Sequence, residues 1–116
     1  MKKILILFVM PLFIACSVEQ FGSGVDSKVK KVQVKDIIIN ESYHGKDVTI
    51  EGIITSQCGT NGCWFFLHDG SGQVYVNLAP NGLVLPPRNG KRAKVTGSVS
   101  VGENGVAVIA RGIEVG

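Results

Sequence analysis

The sequence predicts a small all-β domain whose five short strands close, or nearly close, into a barrel. Three observations favour this fold class. Segments that alternate apolar and polar residues recur between residues 47 and 115. Turn sequences rich in glycine, such as Asp-Gly-Ser-Gly at 69–72, separate these segments. All 15 glycines of the 116-residue chain lie after residue 21, a density typical of turn-rich β proteins.

The first 15 residues are not expected to belong to this domain. Met1, Lys2 and Lys3 form a charged start, and residues 4–15 are an apolar run interrupted only by Pro11. This run is too short to cross a bilayer and is typical of an export signal. The formal net charge of the chain is +3, and Lys2 and Lys3 account for two of these net charges, so the mature protein is close to neutral. Net charge therefore disfavours nucleic acid as a partner.

The apolar run ends in Phe13-Ile14-Ala15-Cys16. This ending resembles the lipobox of bacterial lipoproteins, although Phe13 stands where that family usually has Leu. The resemblance implies that residues 1–15 are cleaved and that an acylated Cys16 anchors the protein in a lipid bilayer. Ser17 is not the Asp of the inner-membrane retention signal. The implied location is the cell envelope, on the outer membrane facing the periplasm or at the cell surface if the host has two membranes. The alternative is an ordinary export signal that ends near a free cysteine.

The residues between the expected export signal and the barrel show weaker sequence patterns. Residues 16–26 are polar and are expected to be a flexible tether in which Phe21 has no role. The folded domain is expected to span residues 27–116. Residues 34–40 are compatible with an extended lead-in, a first strand or a single helical turn, and residues 40–46 predict a turn.

The five strands are expected at residues 47–57, 63–68, 73–78, 91–101 and 106–115. An isolated glycine in the first strand, Gly52, indicates a bulge or a barrel corner. The connection at residues 79–90 carries three prolines and shows no helical periodicity, although a short helix is compatible with it. Asp69 is expected to be a turn residue.

Three strings in this region are VTIEG-x-I, F-x-L-x-DGSG-x-V-x-V and GK-x-x-KVTG. Together they resemble the OB-fold of anticodon-binding-like domains over roughly residues 47–115, with anchors at Gly52, Phe65, Leu67, Asp69, Gly70, Gly72, Gly90 and Gly97. The resemblance implies a five-stranded Greek-key barrel whose binding surface is the outer face of the second and third strands. It says little about the ligand.

Cys58 and Cys63 lie in the connection between the first two strands. In an oxidising compartment, an even pair at close spacing is expected to form a disulfide. The alternatives are a Cu or Zn site and a redox-active pair, although the spacing is neither C-x-x-C nor C-x-x-C-H. His68 is expected to face away from Cys63 on a regular strand, so it is a poor third metal ligand. The C-x(4)-C-W segment also resembles small exported bacterial OB-fold proteins, which implies no particular activity. No other cofactor is expected.

The second strand is expected to bury Phe65 and Leu67 and to expose a platform on its other face. The predicted ligand-binding face comprises Trp64, Phe66, His68, Tyr75, Asn77, Lys91 and Arg92. Such a platform can stack a base, a sugar or an aromatic small molecule. The alternative is that Trp64 and Phe66 pack beneath the connection at 79–90.

No catalytic constellation is visible, since the chain has neither a G-x-S-x-G motif nor an arguable pair of acids. The expected function is therefore a non-catalytic, envelope-anchored binding or adaptor module for an unidentified envelope protein or small ligand. Two alternatives remain open: a metal or redox protein that uses the cysteine pair, and a nucleic-acid-binding OB domain.

Overall fold

The computed structural model describes residues 18–58, 63–103 and 105–116. The predicted export signal, Cys16 and the interior of the connection between Cys58 and Cys63 lie outside these residues. The strands are β1 (Glu19–Gly22), β2 (Asp47–Gln57), β3 (Trp64–His68), β4 (Gln73–Asn77), β5 (Arg92–Gly102) and β6 (Gly105–Val115). Helix α1 spans Val34–Ile39, and short 3-10 helices cover Glu41–Tyr43 and Ala79–Asn81. No helix in the described segments is long and apolar enough to cross a membrane.

Strands β2 to β6 form the closed five-stranded barrel that the sequence predicts. Around the barrel the order is β6, β4, β3, β2 and β5, and β5 pairs with β6 to close it. The β4–β6 pairing is parallel, whereas the other four pairings of the barrel are antiparallel. The predicted strands and the turn at 69–72 are thereby confirmed, and each boundary differs by at most one residue.

The middle of β2 is where the strand passes from one neighbour to the other. Residues before Ile53 pair with β5, and residues after it pair with β3. The ladder to β5 runs through Gly52 without a shift, and the irregularity lies between Ile54 and Ser56 instead. Gly52 is therefore not a bulge. A Cβ atom there would lie 2.4 Å from the backbone oxygen of His68, so the close approach of β3 requires glycine.

The core fills the barrel with the apolar faces that alternation predicts. Phe65 and Leu67 of β3 are fully buried. Ile37 of α1 and Leu85 of the 79–90 connection are buried in the same cluster. The remaining buried apolar residues are Val32, Val34, Val48, Ile50, Ile54, Val74, Val76, Leu78, Ala93, Val95, Val99, Val108, Ala110, Ile113 and Val115.

The ambiguous segment at 34–40 is helical over Val34–Ile39. Its three consecutive isoleucines are weak helix formers because β-branched side chains lose rotamer freedom in a helix. The helix is held from outside by the β3–β4 turn: Val34 N donates to Asp69 Oδ2 (2.9 Å) and Lys35 N donates to Ser71 Oγ (3.1 Å). Tertiary capping, rather than local propensity, selects the helix.

The segment expected to be a flexible tether is part of the domain from Glu19 onward. Strand β1 pairs antiparallel with the end of β6, from Glu19 opposite Val115 to Gly22 opposite Gly112. Phe21, expected to have no role, packs against the core. A four-residue strand has no periodicity that a sequence pattern can reveal, and the pairing depends on a partner about 90 residues away.

Backbone contacts continue from β1 to Asp26. Ser23 N donates to the backbone oxygen of Arg111 (3.0 Å), and Asp26 N donates to the Thr96 hydroxyl (3.1 Å). A Cβ atom at Gly112 would lie 1.6 Å from the backbone oxygen of Gly24. Residues 19–24 therefore lie directly on β6, and Asp26 reaches Thr96 of β5. Only a glycine at position 112 permits the approach of Gly24.

Candidate ligand-binding groove and cysteine pair

Three aromatic side chains form a continuous row on the outer face of β3 and β4. Trp64 lies 5.8 Å from Phe66 and 5.9 Å from Tyr75, and Phe66 lies 5.5 Å from Tyr75, measured between ring centroids. These separations are typical of favourable aromatic pairs. All three side chains are partly exposed. The predicted alternation along β3 is confirmed, since Phe65 and Leu67 face inward and Trp64 and Phe66 face outward.

The connection at 79–90 is attached to Gln57 of β2. Gln57 Nε2 donates to the backbone oxygens of Leu85 (3.0 Å) and Pro86 (2.7 Å), and Gln57 Oε1 accepts from Arg88 N (2.8 Å). Leu85 points into the barrel core and is 1% exposed. Of the two expectations for Trp64 and Phe66, the structure matches the first: they belong to an exposed aromatic cluster whose rings pack on one another.

A groove of about 670 Å³ lies beside this aromatic row. Phe66, Tyr75 and Asn77 line one side, with Gln73 and Val74, and the first residues of β6, Gly105, Val106 and Ala107, complete the lining. None of these residues carries a formal charge. The volume lies in the range of small-molecule sites, about 300–1,000 Å³.

The two amides of the groove have their oxygen atoms engaged within the protein. Gln73 Oε1 accepts from the Thr55 hydroxyl (3.1 Å), and Asn77 Oδ1 accepts from Ala79 N (3.2 Å). Within the described part of the chain, neither amide nitrogen donates to a protein acceptor. Each amide therefore retains N–H groups that can serve a ligand.

The other three members of the predicted face lie elsewhere. His68 is exposed at the far end of β3, where its Nδ1 accepts from Gly70 N (3.2 Å). Arg92 lines a groove of about 440 Å³ that contains several charged residues, among them Glu51 and Asp69. Lys91 lines a third depression together with Glu19 and Arg88. Of the seven predicted residues, the structure brings together Trp64, Phe66, Tyr75 and Asn77.

Sequence reasoning missed Gln73 and the start of β6. Gln73 could have been found, because it shares the outward face of β4 with Tyr75 and Asn77. Residues 105–107 carry no such signal. They reach the groove because β6 pairs in parallel with β4, with Ala107 opposite Tyr75.

The cysteine pair lies beside the aromatic row. The Cys58 and Cys63 sulfur atoms are 3.0 Å apart, and both residues are partly exposed thiols. The backbone of each cysteine is hydrogen-bonded to a neighbouring strand segment: Cys58 N donates to the Trp64 oxygen (3.0 Å), and Leu78 N donates to the Cys63 oxygen (2.9 Å). The hydrogen bond with Cys58 raises the pKa of the Cys63 thiol, and desolvation and the charge of Cys58 act in the same direction.

The pair offers two thiols to a metal ion, and the described residues supply no further ligand. No group of three or more His, Cys, Asp or Glu side chains suited to a metal ion occurs in residues 18–58, 63–103 and 105–116. His68 lies at the opposite end of β3 from Cys63 and on the other face. The four-ligand set of a structural zinc site is therefore not completed by these residues.

No protein-family model matches the chain, and no curated protein matches its sequence. Solved structures match its fold. The hypothetical protein YgiW of E. coli superposes with a TM-score of 0.57 at 16% identity, over 76% of this chain and 96% of its own. The Stn1–Ten1 complex of S. pombe gives 0.50 at 21% identity, over 74% of this chain and 75% of its own.

A protein of Leishmania major Friedlin assigned as an aspartyl-tRNA synthetase gives a TM-score of 0.58 at 13% identity. That match covers 80% of this chain but only 22% of the much longer Leishmania chain. At these identities the likenesses establish an OB-fold-like barrel, as the sequence predicts, and nothing about the ligand.

Proposed function

We propose that this protein is a non-catalytic binding module whose groove holds an uncharged, hydroxyl-bearing ring, that is, a sugar unit. We also propose that it works in the cell envelope, anchored through an acylated Cys16. The observation that carries the binding proposal is the groove beside Phe66 and Tyr75, which combines aromatic rings with amide donors and has no charged lining residue.

The chemistry of the lining suits a sugar. A pyranose ring presents a C–H face that packs on an aromatic ring, and its hydroxyl groups accept hydrogen bonds at the ring edge. Phe66 and Tyr75 supply the apolar contact. Gln73 and Asn77 supply amide N–H groups, because their oxygens are bonded to the Thr55 hydroxyl and to Ala79 N. Specificity for hydroxyl groups follows from a few such donors beside aromatic rings in an uncharged groove.

The distribution of cations disfavours a nucleic acid as the ligand of this groove. Phosphate contacts supply most of the affinity of nucleic-acid-binding proteins and require Lys or Arg beside the stacking platform. Lys91 and Arg92 lie in two other depressions. Arg88 is bound to Glu19 through a bidentate ion pair, with an NH2-to-Oε2 distance of 2.6 Å.

Titration of the mature chain with Cys16 replaced by Ser tests the proposal. The single tryptophan, Trp64, reports binding by fluorescence. The probes are chitotriose, maltotriose and decathymidylate at stated salt. We expect saturable binding of a sugar and about a tenfold loss of affinity in Tyr75→Ala and in Asn77→Ala, equivalent to about 1.4 kcal/mol each.

Ile39→Ala is the matched control, because it removes an exposed apolar side chain on α1, away from the groove lining. We expect it to bind sugar as the parent does. Decathymidylate binding that Tyr75→Ala abolishes, with both sugars inactive, would replace the sugar proposal with the nucleic-acid one. Absence of sugar binding in the folded parent would reject it.

A further inference from the structure

A short series of bonds connects the cysteine pair to the groove. Cys63 immediately precedes Trp64, and Cys58 N is bonded to the Trp64 oxygen. Trp64 contacts the rings of Phe66 and Tyr75, and in the strand register it lies opposite Asn77. Phe66, Tyr75 and Asn77 are groove residues. The pair and the groove thus share Trp64 as their common neighbour.

A second connection runs through β4. The Cys63 oxygen accepts from Leu78 N, and Leu78 follows Asn77 directly. Both cysteines are therefore bonded through their backbones to residues that adjoin the groove. These bonds continue the β2–β3 and β3–β4 pairings just beyond the strand ends. We therefore expect a displacement of either cysteine to reach Trp64 or the end of β4.

We propose that Cys58 and Cys63 are a reversible dithiol–disulfide pair whose oxidation state sets the position of Trp64 and thereby the ligand affinity of the groove. The affinity part of this inference rests on the proposed function; the coupling of the pair to Trp64 does not. A disulfide bond is about 2.05 Å long. The sulfurs lie 3.0 Å apart, close enough for a disulfide bond to form with a small displacement of the two side chains.

The co-reactant is a disulfide, of a protein or of glutathione. A thiolate of the pair attacks one sulfur of that disulfide, whose S–S bond breaks and releases a thiolate, leaving a mixed disulfide. The second cysteine, after losing its proton, attacks the mixed disulfide and releases the other sulfur. The pair loses two electrons and two protons, and the co-reactant gains both to become two thiols. Reduction by a dithiol is the reverse.

The experiment compares the mature chain, with Cys16 replaced by Ser, after equilibration with oxidised and with reduced glutathione. NMR spectra of both states are assigned, and chitotriose affinity is measured in each. We expect the chemical shifts of Trp64, Phe66, Tyr75 and Asn77 to differ between the two states, and the sugar affinity to differ at least threefold. Ile39 and His68, away from the pair, should shift little.

The double variant Cys58→Ser, Cys63→Ser is the control, and its spectrum and affinity should be the same in both buffers. Identical chemical shifts of the groove residues in the oxidised and the reduced parent would overturn the inference even if the sugar binds. A pair that stays oxidised in reduced glutathione would overturn its reversibility. Shifts without sugar binding in either state would overturn the proposed function and the affinity claim, while supporting the coupling of the pair to Trp64.

Discussion

The carboxylate of Asp69, in the β3–β4 turn, caps helix α1 by accepting a 2.9 Å hydrogen bond from the backbone N–H of Val34. Its other oxygen holds the turn itself, accepting from Ser71 N (2.9 Å), the Ser71 hydroxyl (2.6 Å) and Gly72 N (3.2 Å). One side chain therefore fixes both the hairpin and the helix that packs against it.

Replacing this carboxylate should destabilise the domain. Asp69→Asn keeps one oxygen acceptor but replaces the other with an N–H donor, which leaves either Val34 N or the turn without its partner. We expect a loss of about 1–3 kcal/mol in unfolding free energy, measured by urea denaturation. Asp36→Asn is the control, because it alters a longer, exposed bond at the start of the same helix, from Gln33 N to Asp36 Oδ2 (3.2 Å). An equal effect of the two variants would contradict the connecting role of Asp69.

The same carboxylate predicts an acid limit of stability. Burial acts to raise the pKa of Asp69, but the hydrogen bonds from Ser71, Val34 and Gly72 together outweigh it, so the folded-state pKa lies below the ordinary value. The stabilisation is complete above the unfolded-state pKa of about 3.9 and is lost as the pH falls through the lower folded-state pKa. Unfolding free energies of parent and Asp69→Asn, measured from pH 6 downward, should converge in that interval. A constant difference down to pH 2 would refute this linkage.

Gly112→Ala tests whether residues 19–26 belong to the domain. The new methyl group would collide with the backbone oxygen of Gly24, so either β1 detaches or β6 distorts. We expect a loss of at least about 2 kcal/mol, at the upper end of typical substitutions. Gly102→Ala is the matched control, because no atom lies within 4 Å of a Cβ atom at that position. If residues 19–26 were a free tether, the two variants would unfold alike in thermal denaturation.

Thr96 and Thr49 form a buried hydroxyl pair, with their oxygens 2.8 Å apart, and the Thr96 hydroxyl also accepts from Asp26 N. Thr96→Val leaves the Thr49 hydroxyl without this partner and should cost about 1–3 kcal/mol. Adding Thr49→Val removes the hydroxyl that Thr96→Val leaves without a partner, so we expect the double variant to recover part of the lost unfolding free energy. Calorimetry of the two single variants and the double variant measures the coupling; strictly additive losses would argue against a shared bond.

The raised pKa of the Cys63 thiol predicts slow alkylation in the reduced protein. Because the hydrogen bond with Cys58 is the largest cause, Cys58→Ala should lower the Cys63 pKa towards the ordinary cysteine value of about 8.5. At pH 8 iodoacetamide should then modify Cys63 faster in Cys58→Ala than in the reduced parent, as followed by mass spectrometry. A faster reaction in the parent would show that Cys58 does not hold the thiol protonated.

The anchoring proposal makes a separate prediction. If Cys16 is acylated, the full chain expressed in a bacterium should incorporate labelled palmitate and sediment with membranes. Cys16→Ser should abolish both, because a chain without acyl groups has no lipid anchor. Cys58→Ser is the control and should retain label and sedimentation. Label that persists in Cys16→Ser would place acylation at another residue.

Alternation and turn chemistry were enough to predict the five strands, the inward face of β3 and the outward row of Trp64, Phe66 and Tyr75. Side chains alternate between the two faces of any strand, so these features depend only on neighbours in the sequence. The glycine-rich turn at 69–72 is predicted for the same reason, since its geometry is local.

Features that depend on distant partners were either missed, as β1 was, or left open, as the helical turn at residues 34–40 was. Strand β1 exists because Gly112 admits the backbone of Gly24, and α1 is helical because Asp69 caps it from 35 positions away. Alternation also does not reveal where around a barrel an outward residue lies. Lys91 and Arg92 therefore fall outside the groove that the parallel β4–β6 pairing completes. Strand order and close backbone approach are set by packing of the whole chain, and they determine which side chains meet in the groove.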